Sequence, residues 1–110
     1  MITLTLLKRN GRPAGFRCSG HANRGEYGND LVCSAVSAIT QTCVIGLIDI
    51  LGLRAEVSAD EASGLDCRLP SDMDEPQRER AALLLETMLA GLRAVEASYP
   101  GTLKTIDREV

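Results

Sequence analysis

The run from Leu31 to Leu51 is the feature that most constrains this chain. It is apolar nearly all round, so a helix built from it needs cover on most sides. It is also long enough to span a bilayer. Gln41, Asp49 and several Ser and Thr residues interrupt it, however, and no Lys or Arg cluster flanks it to set an orientation. The run is therefore read as a buried central helix with no membrane partner. Asn29 or Asp30 is placed to cap its start through a side-chain oxygen, and Gly52 suits the left-handed position that closes its end.

The segments on either side read mostly as strands. Ile2 to Lys8 places Ile2, Leu4 and Leu6 in alternation with Thr3 and Thr5. Arg9-Asn10-Gly11-Arg12-Pro13 follows as a turn, Asn-Gly being a strong hairpin signal, and Ala14 to Gly20 returns antiparallel. Beyond Gly52, Leu53, Ala55 and Val57 alternate with Arg54, Glu56 and Ser58. A polar turn from Ala59 to Gly64 leads into Leu65-Asp66-Cys67-Arg68-Leu69, which completes a second hairpin. Pro70 to Asp74 is a loop, and Pro76 suits the first turn of a second helix, where its missing N–H costs nothing. Leu85, Met88, Leu89, Leu92 and Val95 follow helical spacing, with Arg78, Arg80, Glu86, Arg93 and Glu96 mostly on the other side. Tyr99-Pro100-Gly101 ends that helix, and Thr102 to Val110 is read as a last strand on weaker alternation.

The order is strand, strand, helix, strand, strand, helix, strand. Two helices covering a mainly antiparallel sheet, on one face or as a layer each side, make an α+β fold, expected here as one domain over residues 1–110. A chain of 110 residues buries about two-thirds of its unfolded surface, enough for a core of its own. Aromatic residues are only 3% with no tryptophan, so that core rests on Leu, Ile, Val and Ala. The net charge of −3 argues against direct nucleic-acid binding and fits a basic protein or peptide partner. Cys18, Cys33, Cys43 and Cys67 show no C-x-x-C spacing, and one histidine cannot complete a familiar Cys/His zinc set, so neither metal nor cofactor is implied. Met1-Ile2-Thr3-Leu4 passes directly into the strand pattern without a basic, apolar leader; a cytoplasmic location with reduced thiols is expected.

The chemical signal lies between Ser19 and Ser37, in SGHANRGEYGNDLVCSAVS. His21, the sole histidine, stands where the second strand ends, and Cys33 stands near the start of the central helix. If Asp30 caps that helix, Cys33 falls in its first turn, where unpaired backbone N–H groups and the positive end of the dipole favour an anion such as a thiolate. A loop that folds His21 back over the helix start adds a proton carrier, and Gly25 and Gly28 allow such a loop to admit and cover a peptide.

Gly20-His21-Ala22, followed by Gly28-x-Asp30-Leu31-Val32-Cys33-Ser34-Ala35-Val36-Ser37, closely resembles the signature of the ribosomal-processing cysteine proteases, small bacterial proteins of about this length. The resemblance implies His21 and Cys33 as the catalytic pair, with Asp30 and Ser37 as further motif positions. It also implies the activity: removal of a short N-terminal extension from a large-subunit ribosomal protein. Together with the small size it is compatible with a homodimer.

Each of these residues also has a plainer reading. Cys33 can be a small buried hydrophobe, as Cys18, Cys43 and Cys67 are read to be. His21 can be a solvent-facing imidazole, Asp30 a helix cap, and Gly25 and Gly28 turn residues. Ser37, one turn beyond Cys33, either supports the thiol or bonds the carbonyl four residues back. Two other functions fit the same residues: a noncatalytic ribosome-associated binding or assembly module, and a thiol redox sensor using Cys33, which lacks a resolving cysteine at close spacing.

Overall fold

The computed structural model describes residues 1–20 and 29–110, with Asn29 and Asp30 described by backbone alone. His21, Gly25 and Gly28 lie outside the described residues. Strands β1 (Ile2–Arg9) and β2 (Arg12–Ser19) form the first hairpin. Asn10 and Gly11 both take positive φ, 54° and 75°, the turn whose twist matches paired strands. The second strand starts earlier than its pattern suggests, and Pro13 lies inside it. Leu7 pairs with Gly15 but Lys8 with Pro13, so Ala14 is an extra residue. Such a bulge tolerates a proline, whose missing N–H breaks no regular ladder bond. The Ala14 carbonyl accepts instead from the Leu69 N–H at 2.9 Å.

Helix α1 spans Asn29–Ile45 and runs on as one wider π turn over Gly46–Ile50. Gly52, at φ 67°, closes it as expected, with the Leu53 N–H bonded to the Leu47 carbonyl at 3.0 Å. Leu53 is spent on that closure and is buried, so strand β3 begins only at Glu56, covering Glu56–Asp60, and pairs with β4 (Gly64–Arg68). Helix α2 (Glu75–Ser98) starts with a reciprocal cap, in which Asp74 accepts from the Gln77 N–H and Gln77 accepts from the Asp74 N–H, each at 2.9 Å. The tail forms β5 (Leu103–Glu109). Its alternation is weak because it is an edge strand in which only Leu103 is buried.

The sheet order is β3-β4-β2-β1-β5; β5 runs parallel to β1 and every other pair is antiparallel. Both helices lie on one face, where Ile2, Leu4, Leu6, Phe16, Cys67 and Leu103 meet Val32, Val36, Cys43 and Leu47 of α1 and Ala81, Leu85, Met88 and Leu92 of α2. The opposite face carries polar pairs beside the buried Leu7: Asp66 sits between Arg68 (Nε at 2.9 Å) and Arg17 (Nε at 3.2 Å), and those two arginines, Arg68 foremost, hold its carboxyl below the usual range.

One expectation fails. The apolar helix is not buried within the chain, for only 28% of the stretch Leu31–Ile50 is covered and Leu31, Ile45 and Ile50 are exposed. Helix α2 and the sheet cover one stripe of it and leave the rest open.

Gly64 has φ 80°, and a Cβ built there runs into the Cys18 carbonyl oxygen. Gly64→Ala should therefore lower unfolding stability by about 2 kcal/mol or more in urea titration, through strain and a forced strand separation. A loss under about 0.5 kcal/mol, the scale of an ordinary surface change, would remove this account of the β2–β4 contact.

Candidate active site

The site forms where β2 ends beside the start of α1. Gly20 follows the last β2 residue at φ 90°, and its missing side chain lets the backbone pass against the Met1 carbonyl. Here Gly20 meets a local steric need and also lines the cleft described below. The start of α1 differs from expectation. Asn29 and Asp30 are already helical, so neither is the residue before the helix, and Cys33 lies four residues in, past the first turn. The Cβ of a helical residue leans toward the N-terminus, so the Cys33 thiol still tilts back toward that turn.

Cys33 is half-buried and opens on a cleft of about 240 Å³. Ile2, Val36 and Leu65 supply apolar wall, from β1, α1 and β4. Ser37 lines the same cleft, one turn beyond the thiol, and its hydroxyl is exposed with no hydrogen-bond partner among the described residues. The back-bond considered for Ser37 is made by Thr40 instead, whose hydroxyl donates to the Val36 carbonyl at 2.9 Å. The structure thus brings Cys33, Ser37 and Gly20 to one cleft. The positions of His21, Gly25 and Gly28 and the Asp30 side chain lie outside the described residues.

Sequence reasoning missed Cys18. Read as a core thiol, it sits at the edge of the core, half-buried, and lines the cleft with Cys33. Burial, with the Cys33 charge as a second influence, pushes the Cys18 thiol up to about 11. The only available signal was its place on an inward-facing strand position three residues before His21, which has the spacing of an ordinary core residue. Cys43 and Cys67 are buried as expected. Burial, with Cys67 as a lesser influence, pushes Cys43 to about 12; burial, with Asp66 as a lesser influence, pushes Cys67 to about 11. Among the described residues no three His, Cys, Asp or Glu side chains are grouped as metal ligands.

Larger hollows of about 370 and 560 Å³ lie around Arg9, Leu69 and Pro70, toward the hairpin end of the sheet. Neither is lined by a cysteine among the described residues. The smaller cleft has two half-buried cysteines in its wall, Cys18 and Cys33, whereas the groove of about 360 Å³ between the helices is bordered by the buried Cys43.

The family model described as cysteine protease Prp matches residues 1–104. This chain belongs to the cysteine protease Prp family. The motif resemblance from Gly20 to Ser37 is thereby borne out, and the protein is a thiol hydrolase, which displaces the noncatalytic reading. It is 33% identical to the ribosomal processing cysteine protease Prp of Bacillus subtilis over 90 residues, covering 81% of this chain and 80% of that relative. Its fold matches the Prp protease of Staphylococcus aureus, solved with a covalently linked product peptide, at a TM-score of 0.81 and 27% identity over 98% of this chain and 100% of that one. A protein from Streptococcus mutans matches at a TM-score of 0.79 and 28% identity, over 100% of this chain and 96% of that one. The Prp α+β architecture is thus the one this chain adopts.

Thiol reactivity should follow these positions. In the native protein at neutral pH, iodoacetamide should label Cys33 first, while Cys43 and Cys67 react only on unfolding. Peptide mass spectrometry of a time course checks this; labelling of Cys43 or Cys67 as early as Cys33 would contradict the cleft.

Proposed function

We propose that this protein is an endopeptidase that removes the N-terminal extension of a large-subunit ribosomal protein during ribosome maturation, with Cys33 as nucleophile and His21 as its base. The observation that carries the reading is a half-buried thiol opening on a cleft with apolar walls, in a chain of the Prp family. The S. aureus relative with a peptide covalently linked to it supports chemistry through an enzyme nucleophile. The names of the relatives support the substrate, as does the motif itself.

In this mechanism His21 takes the Cys33 proton, and the sulfur attacks the scissile carbonyl carbon. The carbonyl oxygen becomes an oxyanion, for which backbone N–H groups at the start of α1 are natural donors. Collapse breaks the peptide bond, His21 protonates the leaving amine, and a thioester to Cys33 remains. Water activated by His21 then hydrolyses it. Ser37, one turn beyond Cys33 in the same cleft wall, is the residue we assign to supporting the thiol, and Asp30 is assigned to the helix start as a motif position. Gly25 and Gly28 give the intervening segment the freedom to admit a peptide.

Incubating the extended ribosomal protein with wild type should give one N-terminal truncation by mass spectrometry. Cys33→Ala should abolish it, a loss of at least about 10⁴-fold, with the fold retained. Cleavage by Cys33→Ala at a rate near wild type would sink the assignment.

We also read the protein as cytosolic and homodimeric. The support for the dimer is the outer face of α1, where Leu31, Ile45 and Ile48 are exposed, beside exposed Leu83 of α2. Between the helices, Ala38, Ile39, Leu84 and Met88 line an open apolar groove of about 360 Å³. Water contact with so much apolar surface is costly, and a second copy is the occupant always present. Sedimentation should show a dimer that Ile45→Glu dissociates by at least about tenfold in Kd; a monomer at high micromolar concentration would refute it.

A further inference from the structure

We propose that Cys18 is a resolving thiol: peroxide oxidises Cys33, Cys18 captures the product as an intramolecular Cys18–Cys33 disulfide, and cleavage stops until a thiol reductant opens the bond. The inference rests on the reading of Cys33 as the nucleophile. It answers the objection that no second cysteine lies near Cys33 in the sequence, because β2 and α1 bring one there in space.

Two observations carry it. Cys18 and Cys33 line the same cleft, although they come from different elements. They are also the two half-buried thiols, whereas Cys43 is 5% exposed and Cys67 is fully buried. The cleft pair is therefore the more open to a small neutral oxidant such as hydrogen peroxide, although Cys43 also borders the groove between the helices. Ile2, Val36 and Leu65 give the cleft apolar wall beside the polar Ser37, Thr40 and Gln41, and none of the described residues lining it is charged. Cys18, pushed up to about 11, is a thiol near neutral pH and does not react with peroxide first. That order, one thiol oxidised and the other waiting, is what a resolving pair needs.

The chemistry balances. The Cys33 sulfur attacks one peroxide oxygen, the O–O bond breaks, and the departing hydroxide takes a proton to leave as water; Cys33 is now a sulfenic acid. The Cys18 sulfur attacks the Cys33 sulfur, the S–O bond breaks, and the hydroxide leaves with the Cys18 proton as a second water. Two thiols have supplied two electrons to one peroxide. The outcome protects the enzyme, since a sulfenic acid left alone goes on to sulfinic and sulfonic acids that reductants do not reverse.

The test uses the reduced full-length chain titrated with hydrogen peroxide, then unfolded, blocked with N-ethylmaleimide and mapped by mass spectrometry. Cleavage of the extended ribosomal protein is assayed before oxidation, after it, and after dithiothreitol. Wild type should lose two alkylation sites together, yield a Cys18–Cys33 cross-linked peptide, lose cleavage, and regain both with dithiothreitol. Cys18→Ala and Cys18→Ser should give no cross-link. They should instead carry Cys33 as a dimedone-reactive sulfenic acid and higher oxides, with recovery of each variant's own starting rate about tenfold poorer than wild type. Cys33 oxides beside a freely alkylated Cys18 in wild type, or equal recovery in all three proteins, would overturn the proposal. A cross-link that forms and opens in a protein that cuts nothing would sustain the thiol pair and reject the protease reading. Cleavage by wild type with no cross-link would do the reverse.

Discussion

The structure depends on one layer of aliphatic side chains shared by three elements. Leu4 and Phe16 from the central hairpin meet Val36 and Leu47 of α1 and Leu85 and Leu92 of α2, nearly all of them without solvent contact. With Phe16 as its one ring and no tryptophan in the chain, aromatic packing alone cannot organise this layer. Close fit has to do so, and small groups are used for it. Where β4 pairs with β2, Gly15 and Gly64 let the two backbones approach with no Cβ between them and the carbonyls of Cys67 and Cys18. The approach fixes where Cys18 and Leu65 stand, and so fixes one wall of the cleft that opens beside Cys33.

Local chemistry was legible in the sequence wherever a residue type has few uses. Asn10-Gly11 gave away the first hairpin, Gly52 the end of the central helix, and Pro76 the start of the second. Each reports a backbone geometry that other residues resist. What escaped was set by contacts across the sheet. Pro13 looked like turn and became strand, because a bulge at Ala14 removed the need for its N–H. Leu53 kept perfect alternation with Ala55 and Val57, but was drawn into closing the helix, which no period in the sequence records. Cys18 read as core for the same reason: its strand faces the core, and only the helix opposite decides that this position is at the core's edge.

The candidate site shows the same division. The motif from Gly20 to Ser37 named its residues through family likeness, and the structure added that Cys33 and Ser37 share a cleft. The electrostatic argument changes in one respect. Cys33 is past the first turn of α1, where the dipole's influence falls off, so activation of the thiol in the proposed mechanism falls chiefly on a proton acceptor and on local hydrogen bonds. In that proposal the weight shifts from the helix dipole to His21.

The failure of the buried-helix expectation follows from counting faces instead of hydrophobicity. Residues on a helix advance by about 100° each, so α1 divides into three stripes. Val32, Val36, Cys43 and Leu47 point into the core. Cys33, Ser37 and Gln41, at four-residue spacing, form the stripe along the cleft. Ala38, Thr42 and Ile45 form a third, uncovered by this chain. Both outer stripes mix apolar residues with Ser37, Gln41 or Thr42, and averaged hydropathy over the run hides which stripe is the core one. The low buried share of this helix thus reflects that the fold uses only one of its stripes for the core, while a second lines the cleft beside Cys33.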